Sequence, residues 1–293
     1  MLIILTLVLV IASVLMIFLK KNRESILLLG LCISLMIEIS GVMLFIAKKG
    51  GISQEVVRFL YFSKTVQNQM QYFLITLNQL GYMIAIGRIL FPLFLLEIAL
   101  QYSMIPVIRK NRFWEKFIVA IPVTALISYC PFVYRYLFFG RWEKFQQIFA
   151  NINLIWINIY LLGSILLLLI EYFSITMKFC KRQFIQIMVF LIAITGIYIL
   201  YYRQDPGQVY CFYSYNNVWN KGIGYLQIDP SLSSYFILVV VNVISAVLGF
   251  FSLFRYTRGA YEANMEDVVM ERKFDTVRIG VSMFVHSMKN QNI

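Results

Sequence analysis

Seven stretches of mainly apolar residues, each long enough to cross a bilayer, constrain what this chain can fold into. They run over 2–19, 26–47, 80–104, 117–139, 148–170, 184–202 and 235–254. An open segment in hydrocarbon must satisfy its own backbone, so each stretch is expected to be a helix. Hydrophobic residues make up 60% of the 293 and charged residues 14%, where soluble domains carry about a quarter charged. A soluble core of this length cannot hide that much apolar surface. The expected fold class is therefore an all-α membrane protein. About seven transmembrane helices occupy 1–254, and a cytoplasmic dimerisation helix follows over 255–293. The third stretch has the least sharp start, since apolar character begins nearer Tyr72, and Pro92 is expected to kink it.

The net charge of +12 sits in short basic runs between apolar stretches, so topology accounts for it and no nucleic-acid partner is expected. Lys20, Lys21 and Arg23 come after the first apolar run, the reverse of a cleaved signal peptide. With the N-terminus outside, the cytoplasmic side receives 16 of the 26 basic residues. Nine fall outside, and Arg88 is intramembrane. An odd number of spans then delivers the tail to the cytosol. Cys32, Cys130, Cys180 and Cys211 show no CxxC spacing, so neither a disulfide framework nor a metal site is expected.

Two external segments are long. Residues 48–79 carry an apolar patch (Val56, Val57, Phe59, Leu60, Tyr61 and Phe62) suited to an interfacial helix. Residues 203–234 are rich in aromatic side chains, and Tyr210, Tyr213 and Trp219 are candidate ligand contacts. An aromatic belt at the membrane surface is the other reading of that loop. Besides Arg135 near the outer end of the fourth, three charges fall within apolar stretches. Glu38 lies near the middle of the second, and Arg88 and Glu97 lie in the third. Arg88 and Glu97 are nine residues apart, on opposite faces of one helix, so they cannot pair with each other. A Glu38–Arg88 contact between the second and third spans would satisfy the carboxylate. These groups form either an intramembrane ligand or proton site, or a buried pair that fixes helix register, with Glu97 alternatively a group near the cytoplasmic interface.

After residue 254 polarity rises sharply. Phe274, Val277, Val281, Phe284 and Met288 follow a 3-4-3-4 spacing, the a/d seam of two packed helices, so a homodimer is expected. In that register His286, the only histidine, points away from the seam, where it could take a phosphoryl group. Asn290 lies one turn on, close enough to orient the imidazole, and Lys289 adds positive charge beside an incoming phosphate. Residues 284–291, FVHSMKNQ, resemble the H-box of bacterial sensor histidine kinases: His286, Lys289 and Asn290 match their places. Ser287 stands where that family usually has an acid, and Gln291 where it usually has proline. The resemblance implies His286 as the phosphoacceptor of a two-component system in the bacterial cytoplasmic membrane, with a response regulator as partner.

No Asn-rich Mg-ATP box, glycine-rich lid or Walker A loop is present in these residues. The chain itself is expected to hold no cofactor. ATP and Mg are expected only through a kinase catalytic domain, in a longer polypeptide or on a partner. The alternative function is a non-catalytic membrane protein, a transporter subunit or scaffold, whose tail only dimerises.

Overall fold

The computed structural model describes residues 1–19, 22–49, 54–103, 113–138, 143–175, 178–210 and 231–253. Every regular element among them is a helix. In chain order these are α1 (Leu2–Leu19), α2 (Arg23–Lys49), α3 (Gln54–Tyr61), α4 (Lys64–Gln71) and α5 (Leu77–Tyr102). Then come α6 (Phe113–Ser128), α7 (Pro131–Phe138), α8 (Glu143–Ser174), α9 (Lys178–Tyr201), α10 (Pro206–Tyr210) and α11 (Leu232–Leu253).

Five helical segments are long and apolar enough to cross a membrane, and the bent pair α6–α7 makes up to six. The first apolar stretch forms a shorter helix, Leu2–Phe18. Side chains such as Ile11 and Leu15 on α1, Ile159 and Leu166 on α8, and Ile244 and Phe251 on α11 are exposed. These apolar faces suit a lipid surround.

α2 and α5 form the central pair, with α1 against α2 and α8 against α5. The pair can approach closely because Gly87 presents no side chain: a Cβ there would come within 2.5 Å of the Glu38 amide nitrogen. Most of the apolar patch expected to form an interfacial helix falls on α3, with Phe62 just beyond it. Val56, Leu60 and Tyr61 are buried, and the Tyr61 hydroxyl donates to the Met43 carbonyl, tying α3 to α2. Phe62 ends α3 at φ 62°, and its N–H reaches back to the Arg58 carbonyl. Ser63 then caps α4 by accepting from the Thr65 N–H.

Two expectations are corrected by the helices themselves. The fourth stretch is not one straight span, because α6 and α7 meet at Tyr129 and Cys130 with a 76° bend. Pro131 supplies the reason, since it starts a helix readily but cannot continue one. The sixth stretch does not end at Tyr202, because an apolar segment runs from Lys181 to Tyr210 with a break between α9 and α10. There Pro206 opens α10 as its first residue.

A proline inside a helix leaves the carbonyl four residues earlier without its N–H, which is costly in hydrocarbon. Pro92 and Pro122 meet this problem in one way. Pro92 frees the Arg88 carbonyl, and the Tyr198 hydroxyl donates to it at 2.7 Å. Pro122 frees the Ile118 carbonyl, and the Tyr160 hydroxyl donates to it at 2.9 Å. Between α9 and α10, outside either helix, the Tyr202 carbonyl also takes a side-chain donor, Arg88 Nε at 2.6 Å. In each case a polar side chain from another helix supplies the missing bond.

Candidate functional site

The helix breaks converge on one buried ion pair. Arg88 rises from the middle of α5 and is 1% exposed; its Nη1 lies 2.8 Å from Asp205 Oδ1. The same oxygen accepts from the Tyr129 hydroxyl at 2.6 Å, at the α6–α7 bend. Asp205 Oδ2 accepts from the Gly207 N–H at 2.9 Å, which makes Asp205 the N-cap of α10. The carboxylate therefore has a guanidinium, a phenol and a backbone amide around it, enough to compensate its loss of water. Gly207 is required here, because a Cβ would collide with the Tyr134 hydroxyl.

Aromatic packing surrounds the pair. Phe91 stacks on Tyr198 with ring centroids 4.3 Å apart, and Tyr129 stacks on Tyr134 at 5.9 Å. Such rings exclude water and stiffen the site, while the tyrosine hydroxyls satisfy buried backbone. Tyr210 donates to the Tyr129 carbonyl at 2.7 Å, with its ring where a Cβ on Gly81 would fall. The α9–α10 break, the α6–α7 bend and α5 are thus bonded into one unit.

Glu38 stands beside this unit on α2. It is fully buried at the α2–α5 crossing, and neither carboxyl oxygen has a hydrogen-bond partner. The expected Glu38–Arg88 contact is not formed. Arg88 faces Asp205, because the Tyr202 carbonyl, past the end of α9, and the Asp205 carboxylate both accept from the guanidinium at the α9–α10 break. The third intramembrane charge belongs elsewhere. Glu97 lies 3.4 Å from Arg23 at the far end of the α2–α5 pair, where Tyr102 also donates to Glu24 at 3.3 Å. Glu97 and Arg88 do not pair, as their spacing requires.

A scan against family models, a search of curated proteins and a search of solved structures each return no match.

Of the candidate loop residues, Tyr210 is part of α10 and bonded inward rather than free in a loop. Tyr213 and Trp219 lie outside the described residues, as do His286, Lys289, Asn290 and the seam residues Phe274, Val277, Val281, Phe284 and Met288. Asp205, Tyr129, Tyr198 and Tyr202 are members of this buried centre that the sequence reading missed. The available signal was the Asp-Pro step just past an apolar stretch, which marks a helix boundary with a capping acid. Among the described residues no group of three or more His, Cys, Asp or Glu side chains could hold a metal ion. The chemistry the centre offers is charge pairing and proton binding in a dry interior.

Proposed function

We propose that this chain is the membrane sensor portion of a two-component histidine kinase. It detects an external or membrane signal with its helical bundle and relays it to His286. The observation that carries the reading is the match of His286, Lys289 and Asn290 to an H-box, placed behind a set of membrane spans. The buried centre supports it. A charged, bonded junction between broken helices has discrete alternative packings, which a sensor needs in order to switch. In this reading the protein has seven spans, including α1 and the bent α6–α7 pair, with the N-terminus outside and the tail in the cytosol. The cytoplasmic helix dimerises through Phe274, Val277, Val281, Phe284 and Met288. A kinase catalytic domain supplies ATP and Mg, and a response regulator takes the phosphoryl group. The Tyr213 and Trp219 segment is the external contact for the signal.

The test is phosphohistidine on the protein in its native membrane, measured with and without His286→Gln. The expected outcome is complete loss of label with unchanged membrane insertion. Label that persists on the variant rejects His286 as the acceptor.

One observation favours a second reading, a transporter subunit. Helices broken in the membrane interior beside a charge centre are where transporters bind substrates. That reading makes Glu38 and Arg88 essential and His286 dispensable, so the same His286→Gln variant separates the two.

A further inference from the structure

Among the described residues, one buried acid in the bundle has no hydrogen-bond partner on either oxygen. The Arg88 guanidinium and the Asp205 carboxylate neutralise each other, and Tyr129 and the Gly207 N–H complete the carboxylate's partners. Glu38 is then the surplus acid: fully buried, with both oxygens unpartnered. Ionised in that setting, it would be a bare charge in a dry helix interface.

The surroundings say what can occupy it. From α5 the facing charge is Arg88, whose field reaches Glu38, and from α9 it is the Tyr198 phenol. Tyr198 itself donates to the Arg88 carbonyl. α1 carries no titratable side chain, and α4 has only the exposed Lys64. No second acid joins Glu38 to build a metal site among the described residues. The Gly87 backbone lies against the Glu38 backbone, so the carboxyl group is enclosed between α2 and α5. A proton fits.

We propose that Glu38 is a proton-binding site, and that on losing its proton it competes with Asp205 for Arg88. When the O–H bond breaks, the electron pair stays on the Glu38 oxygen and the proton passes to bulk water. The new carboxylate then draws the guanidinium away from the α9–α10 break. The Tyr202 carbonyl loses its donor and Asp205 loses its counter-ion. Tyr129 then holds an unpaired carboxylate, so the break and the α6–α7 bend move together. Protonation at α2 is thereby coupled to the packing of three other helices. This holds whether or not His286 accepts phosphate, so the two ideas fail separately.

The experiment is infrared spectroscopy of the full chain in lipid bilayers, following the carbonyl stretch of a buried protonated carboxylic acid and its deuterium shift. The wild type should show the band, and Glu38→Gln should lose it. Asp205→Asn should lose it too, because a freed Arg88 turns to Glu38 and ionises it. No band in the wild type, or a band surviving Glu38→Gln, overturns the proton site. A band lost in Glu38→Gln but kept in Asp205→Asn overturns the competition for Arg88. If Asp205→Asn does not fold, the wild-type band titrated against pH provides that arm: the Asp205 carboxylate stretch should shift as the Glu38 band is lost, and no shift overturns the competition. A fold that holds a proton the unfolded chain releases weakens as pH rises. The wild-type unfolding midpoint should therefore fall further toward alkaline pH than that of Glu38→Gln, and equal falls overturn the proton site.

Discussion

At the scale of single residues, position in the packing outweighs residue type. Gly87 and Gly163 are both glycines inside apolar helices, and nothing in the sequence separates them. In the fold, a Cβ on Gly87 would meet the Glu38 backbone at 2.5 Å, while one on Gly163 would meet nothing within 4 Å. Gly87→Ala is therefore expected to destabilise the protein by about 1–3 kcal/mol, because a backbone cannot step aside as a flexible side chain can. Gly163→Ala is expected to be neutral or to stabilise by up to about 1 kcal/mol through helix propensity. Denaturant unfolding in detergent checks both, and equal costs would refute the close α2–α5 approach. The same scale explains Arg88. Its charge was legible as unusual within an apolar stretch, but its partner was not, since Glu38 and Asp205 are both acids it could have chosen. The Tyr202 carbonyl, past the end of α9, decides between them by giving the guanidinium a second acceptor on the Asp205 side.

At the scale of elements, the breaks are built from prolines and borrowed donors. Tyr160 reaches from α8 to the Ile118 carbonyl that Pro122 leaves open in α6. Tyr160→Phe keeps the ring and removes the donor, which should cost about 1–3 kcal/mol for a buried carbonyl left unpaired. Adding Pro122→Ala restores the missing N–H within α6, so the double variant should recover most of that loss. A double-mutant cycle on unfolding free energy measures the coupling, and additive costs would refute the pairing. Helix existence was legible here, because long apolar runs leave few alternatives. The 76° bend at Tyr129 and Cys130 was not, because a proline in a membrane helix is tolerated or breaking according to what lies beside it. Pro92 lies inside an unbroken α5, with Tyr198 to satisfy the freed carbonyl, whereas Pro131 starts a new helix.

At the scale of the whole molecule, the proposed orientation makes a direct prediction. A reporter active only in the cytosol should work when fused at the C-terminus, and an N-terminal epitope should be reached from outside intact cells. The opposite pattern would remove the cytosolic placement on which phosphorylation of His286 depends. Composition and the spacing of apolar runs determined by themselves that this is a helical chain with several segments long enough to cross a membrane. The free energy of apolar transfer and of backbone satisfaction is local and additive along the sequence, so it can be read without a fold. The sequence likewise marked Glu38 and Arg88, because any charge in hydrocarbon is expensive wherever its neighbours are. Only the tertiary structure decided that Arg88 pairs with Asp205, 117 residues away. It also decided that Tyr129 completes that carboxylate and that Glu38 is left over. A buried charge takes the partner offering the most compensating bonds at the least strain, and that choice exists only once distant helices are side by side.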